Sequence, residues 1–254
     1  MVFWRFAIGA LALLPFIRIA GFSRADLLLL FLVGALTVPG TFLLQFAGLA
    51  RTTATNAALI VGAVPVLTAI AGWLFLGDRL SRAGWLAVAL SFAGVVLVVG
   101  PGGSGGPHWQ GDAMVLASLL LVVASWAVLS STLLKRHAAL LVTAAMLVVG
   151  TVVLIPVVLA VAGAPPVRLS FGVWAALLAL AIPCTAATNL LWNWGLARLP
   201  ASRAGVFINI EPLVGAMLGV ALLGEPLGAG LLAGGVLILA GANLMIARGH
   251  PGAQ

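Results

Sequence analysis

Residues 43–95 read LLQFAGLARTTATNAALIVGAVPVLTAIAGWLFLGDRLSRAGWLAVALSFAGV, and residues 190–242 read LLWNWGLARLPASRAGVFINIEPLVGAMLGVALLGEPLGAGLLAGGVLILAGA. The two stretches align without a gap. Gly48 meets Gly195, Pro65 meets Pro212, Gly77 meets Gly224 and Gly94 meets Gly241, each 147 residues apart, and Asp78 meets Glu225 at the same offset. Between Gly48 and Gly94, 15 of 47 positions are identical. Composition alone gives roughly five, so the chain is an internal duplication.

Composition sets the class. The chain has 254 residues, 63% hydrophobic and 7% charged. A water-soluble domain carries about a quarter charged residues. The apolar runs are continuous and long enough for the roughly 20 residues that cross a bilayer. Strands of a transmembrane barrel would alternate instead. The expected fold is an all-α polytopic membrane protein. The net charge of +7 does not point to nucleic acid, because the basic residues stand singly between apolar runs rather than on one face. One cysteine, Cys184, excludes an intramolecular disulfide.

The runs fall at 2–20, 26–48, 54–76, 82–100, 112–134, 138–162, 171–194, 203–223 and 228–247, which predicts nine helices. The first could pass for a signal peptide. Arg18, however, would stand three residues before a cut after Ala20, where a small residue is wanted. Gly9 and Pro15 also match Gly150 and Pro156, 141 residues on, so a membrane helix is expected. The expected organisation is a first repeat at 1–100, a linker at 101–111, a second repeat at 112–247 and a tail at 248–254. By the offset of 141, the partner of 112–134 would begin about 30 residues before Met1. The first repeat is therefore expected to lack its first helix, through truncation, a misassigned start or a true nine-helix variant. In the linker, Gly100, Gly102 and Gly105 spell GxGxxG. No strand precedes it and prolines interrupt it, so no dinucleotide or other cofactor is expected.

Arg18, Arg24, Arg79, Arg82, Lys135, Arg136, Arg198, Arg203 and Arg248 fall in one set of alternate loops. Arg5, Arg51 and Arg168 fall on the other side. The positive-inside rule places the larger set, and with it the carboxyl terminus, in the cytoplasm. Arg51 and Arg198 are matched residues on opposite sides. That is the plan of inverted repeats, which bind substrate near the midplane.

The doubled set Gly48, Leu49, Ala54, Pro65, Leu76, Gly77, Asp78 and Gly195, Leu196, Ala201, Pro212, Leu223, Gly224, Glu225 resembles the EamA repeat of the drug/metabolite transporter superfamily. Trp4-Arg5-Phe6 also resembles that family's arginine-containing second helix. The resemblance implies ten helices in two inverted five-helix repeats and a central cavity used in alternating access. It also implies substrates such as amino acids, nucleotide precursors, sugars or drugs, with many members exporting. The family's first helix has no counterpart here.

Several residues could line a cavity. Glu211 lies eight residues past Arg203, roughly 12 Å deep at 1.5 Å per residue. An ionisable group there faces a cavity or a partner. It is either a proton-coupling or amine-binding site, or a carboxylate paired with Arg203 or Arg198. Thr37, Thr41 and Gln45 form a polar stripe, matched by Cys184, Thr188 and Trp192 with Asn189 and Asn193 beside it. Such stripes either line a cavity or hydrogen-bond neighbouring helices. Trp126 and Trp192 either cap a substrate or anchor the interface. Asn56 and Asn209, in the matched proline helices, either satisfy carbonyls freed by proline or touch substrate. Gly215-xxx-Gly219 and Gly230-xxx-Gly234 suit close helix packing. Asp78 and Glu225 are expected to cap helix ends and face water.

No enzyme or metal motif is present. The expected function is a secondary transporter in the cytoplasmic (inner) membrane that exports small polar metabolites, amino-acid-like or drug-like. Its partners would be the substrate, protons and the lipid bilayer. The alternative is a transport-inactive structural or regulatory membrane subunit lacking the first helix.

Overall fold

A computed structural model describes residues 2–17, 21–99, 109–223 and 228–248. Arg18, linker residues 101–108, Gly224, Glu225 and tail residues 249–254 lie outside the described residues.

The described residues are helical and contain no strand. The helices are α1 Val2–Leu13, α2 Arg24–Leu49, α3 Ala54–Gly62, α4 Val64–Ala71, α5 Arg82–Val99, α6 Trp109–Arg136, α7 Ala139–Ala162, α8 Phe171–Leu196, α9 Ala201–Ala204, α10 Ile210–Leu223 and α11 Ala229–Arg248. Five apolar helical stretches are long enough to cross a membrane: Arg24–Leu49, Asn56–Leu76, Trp109–Arg136, Ala139–Val161 and Phe171–Leu196. Their outward faces suit lipid. Phe75 is 78% exposed and Phe171 89%, a cost in water that vanishes against acyl chains.

The run expected at 54–76 is not one rod. It breaks at Ala63 (ψ −4°), two residues before Pro65, because proline lacks the N–H that would continue the ladder. At the matched register, the tighter 3-10 turn Gly205–Asn209 leads into α10 at Ile210, just before Glu211 and Pro212. The helix expected from 112 starts earlier, at Trp109, so Trp109–Gly111 are helix rather than linker.

Wide π turns interrupt α2 at Leu36–Thr41 and α8 at Ile182–Ala187, again at matched positions. Two more lie at Gly72–Leu76, after α4, and at Leu129–Leu133 in α6. The Leu76-Gly77-Asp78 motif has a plain structural cause. Gly77 adopts the left-handed conformation (φ +69°) that ends the helix. Asp78 then accepts hydrogen bonds from Ser202 Oγ at 2.9 Å and Ser202 N at 3.4 Å. It caps the start of α9, as expected, but is half-buried rather than facing water.

The chain forms two compact units, and each draws on both halves of the sequence. One comprises residues 1–43 and 128–198, the other 44–127 and 199–254. The chain passes between them within α2, within α6 and at Arg198–Leu199. The first unit packs Phe6, Ala10, Leu13, Val38, Ala144, Leu147, Leu154 and Ala186 into one core. The second has an Ala69, Ala87, Val88, Val206, Met245 cluster and a Val95, Leu213, Ile238 cluster.

Small residues bring helices to backbone contact in both units. In the second, a methyl group at Gly94 on α5 would stand 2.6 Å from Gly234 O, and one at Gly241 on α11 would stand 2.8 Å from Ala87 O. Ala87 and Gly234 are themselves 147 residues apart. In the first unit, a methyl at Gly150 would meet Gly34 O at 2.7 Å, and one at Gly9 would meet Ala181 O at 3.1 Å. Each contact thus recurs with the two halves of the sequence exchanged.

Candidate substrate site

In the first unit, the two matched wide turns converge on Arg5. This residue lies within α1, four residues into an apolar helix. Its Nε donates to Thr185 Oγ1 at 2.5 Å, and Nη2 donates to the Cys184 carbonyl at 3.2 Å. Both acceptors belong to the π turn of α8. The guanidinium carbon also lies 5.4 Å from the ring centre of Phe42, directly after the π turn of α2, and 5.7 Å from that of Phe6. Thr185 passes its own proton to Leu180 O at 2.7 Å. A π turn releases carbonyls from the regular ladder, which is one reason such turns occur at functional sites. Here the carbonyl of Cys184, within such a turn, holds the arginine.

Arg5 makes no ion pair among the described residues. An unpaired cation in a membrane helix costs a few kcal/mol at least, and marks a polar pathway by default. Its planar fork suits a carboxylate.

Four of the expected site residues stand in the same unit. Thr41 is buried and donates to Leu36 O at 3.0 Å. Thr188 is exposed and donates to Pro183 O at 2.9 Å. Each hydroxyl reaches the carbonyl five residues back and bridges its wide turn. Asn189, one turn beyond Thr185 on α8, donates to Thr185 O at 2.8 Å. Trp192 is half-buried further along α8. The neighbouring Asn193 donates across to Thr143 Oγ1 at 2.9 Å, joining α8 to α7.

Five expected residues stand in the second unit. Gln45 is half-buried near the end of α2, and Trp126 is half-buried in α6. Asn56 does not reach carbonyls freed by Pro65. It lies in the first turn of α3 and donates to Asp112 Oδ2 at 3.3 Å. Asp112 also accepts from Thr52 Oγ1, so Asn56 belongs to a tie at helix ends. Asn209 is buried, with Nδ2 donating to Ser91 Oγ at 3.0 Å on α5. Its Oδ1 has no hydrogen-bond partner among the described residues. Glu211 is exposed in the first turn of α10 and forms no ion pair with Arg203 or Arg198 among the described residues.

Two charged groups gain a role that the sequence does not assign. Arg5, in the arginine-containing helix that the resemblance implies, is not among the expected site residues, yet the structure places it on the π turn of α8. Asp26, 4% exposed, accepts from Ser23 N and Oγ, from Arg136 Nη1 at 3.2 Å and meets His137 Nε2 at 3.2 Å. It fastens the start of α2 to the α6–α7 turn. Its Ser23-x-x-Asp26 capping box was legible, but its partners lie 110 and 111 residues away.

Five spans long and apolar enough to cross a bilayer define a polytopic helical membrane protein. The pattern of the EamA-like transporter family matches residues 1–100 and 109–247. The chain belongs to that family. An uncharacterized transporter of Archaeoglobus fulgidus is 29% identical over 98% of this chain and 88% of its own length. A probable terminal-alkyne amino-acid exporter of Streptantibioticus cattleyicolor is 28% identical over 88% of this chain and 74% of its own. One solved crystal structure aligns with a TM-score of 0.79 at 21% identity, over 96% of this chain and 85% of that one. It shows a shared fold.

Proposed function

We propose that this transporter exports small polar metabolites of the amino-acid class, with Arg5 receiving the substrate carboxylate. The observation that carries this reading is the Arg5 guanidinium, half-buried in α1 and held by Thr185 and the Cys184 carbonyl without a protein carboxylate. A substrate carboxylate completes the pair at a point where water is scarce. Thr41, Thr188, Asn189 and Trp192 are the substrate contacts proposed beside it. The export direction is supported by the similar amino-acid exporter.

Two inverted repeats, 1–100 and 112–247, would rock to give alternating access. Support for the repeat symmetry on which this scheme rests comes from the exchanged contacts: Gly94 with Gly234 against Gly241 with Ala87, and Gly34 with Gly150 against Ala181 with Gly9. Supporting the inner-membrane orientation, with the carboxyl terminus in the cytoplasm, is the excess of arginine and lysine in alternate loops. Glu211, exposed and without an ion-pair partner among the described residues, is the proposed proton-coupling group.

The test is efflux from proteoliposomes loaded with mixed amino acids, sugars and nucleobases, with the outside medium read by mass spectrometry. Selective, protein-dependent release of amino acids supports the reading. Release of sugars or nucleobases alone overturns the assigned class.

A further inference from the structure

Arg51 and Arg198 are matched residues that end matched helices, and each bonds backward to its own chain. Arg51 Nη1 donates to Ala47 O at 2.8 Å, and Arg198 Nη1 to Trp194 O at 2.9 Å. The geometry is the same, but the surroundings differ. Where the first copy has Ala47, the second has Trp194, and the Arg198 guanidinium carbon stacks 3.9 Å from its ring centre. That pair forms one side of an open groove of about 690 Å³, where the end of α6, the start of α7 and the end of α8 meet.

The groove has two chemistries. Leu134, Leu140, Leu190 and Leu191 make an apolar trough, with Leu191 68% exposed and Trp194 53%. One cation, Arg198, lines it, and exposed Lys135 follows the lining residue Leu134 in the chain. Asp26, which meets the lining residue His137, is already engaged by it and by Arg136, and Arg198 forms no ion pair among the described residues. A trough for hydrocarbon capped by a stacked guanidinium, at the level where helices leave the membrane, is complementary to a lipid with a negative headgroup. Basic pockets between membrane helices recognise such headgroups. An arginine resting on a tryptophan face is held ready to bind phosphate through its remaining N–H groups.

We propose that this groove binds one anionic phospholipid, with an acyl chain along Leu134, Leu140, Leu190 and Leu191 and the phosphate at Arg198. The site is independent of the transported substrate. It lies on the second copy only, because the first copy has no aromatic platform at residue 47.

The full-length protein in mild detergent is titrated with dioleoyl phosphatidylglycerol or dioleoyl phosphatidylcholine, and retained lipid is counted by native mass spectrometry. Wild type is expected to retain one phosphatidylglycerol about five-fold over phosphatidylcholine. Arg198→Gln is expected to lose that preference, Arg198→Lys to keep part of it, and Arg51→Gln to match wild type. Excess glycerophosphoglycerol, which lacks acyl chains, is expected not to displace the lipid. Equal retention of both lipids means a nonselective belt and overturns the proposal. So does an Arg51→Gln loss as large as that of Arg198→Gln, which signals general surface charge. Displacement by the chainless headgroup overturns the acyl trough, and a dimer that excludes lipid makes the groove an interface between copies. The melting temperature of each variant confirms folding, and if Arg198→Gln fails to fold, Trp194→Ala replaces it with the same expected loss.

Discussion

Thr41 and Thr188 stand 147 residues apart and make the same hydrogen bond, from hydroxyl to the carbonyl five residues back across a π turn. One is buried and the other exposed. The shared bond is local to each turn, and it fixes where the hydroxyl oxygen stands.

Replacing either threonine with valine keeps the shape and removes that bond. Each substitution is expected to lower stability by about 1 kcal/mol, with the larger loss at buried Thr41. Serine is expected to recover most of it. Thermal unfolding in detergent measures both.

Arg5→Gln is expected to raise KM for a carboxylate substrate about ten-fold or more, as a charge-assisted bidentate contact disappears. Arg5→Lys keeps the charge and loses the fork, so it should fall between. Initial efflux rates over a substrate series give the values. A methyl-ester analogue of the substrate should be insensitive to both changes.

Gly94→Ala and Gly241→Ala each force a methyl group against a carbonyl at 2.6 to 2.8 Å. Each is expected to cost about 1–3 kcal/mol, and the two losses should be similar. Gly195→Ala is the control, since nothing lies within 4 Å of its added methyl. There the helix should gain about 0.5–1 kcal/mol.

Glu211→Gln removes a charge that holds no ion pair among the described residues. Stability is expected to stay within about 0.5 kcal/mol, while the pH dependence of efflux flattens. Retention of both rate and pH profile would remove Glu211 from the coupling scheme.

The sequence made some of this visible and hid the rest for physical reasons. Glycine contacts could be read as an offset of 147, because only small residues fit where Gly94 and Gly241 cross neighbouring backbones. Wide turns leave no such mark: Pro39 lies in the turn of α2 and Pro183 in that of α8, yet these prolines are not matched to each other. The break at Ala63 follows from Pro65 but is invisible to hydropathy, since Ala63 is as apolar as its neighbours. The role of Asn56, neither at proline-freed carbonyls nor legible from its helix, is set by its anchor Asp112, 56 residues away. Thr41, Thr188 and Asn189 could be placed on helices, but whether their donors turned to substrate or to their own backbone depended on carbonyls that only the wide turns release.

α2 and α6 each contain residues of both compact units, and each has its wide turn within about two helical turns of that change. A regular helix shares any bending moment along its whole ladder. A rod that has already surrendered a rung is compliant at that place first. Leu36–Thr41 and Leu129–Leu133 are therefore the places where α2 and α6 themselves would bend first.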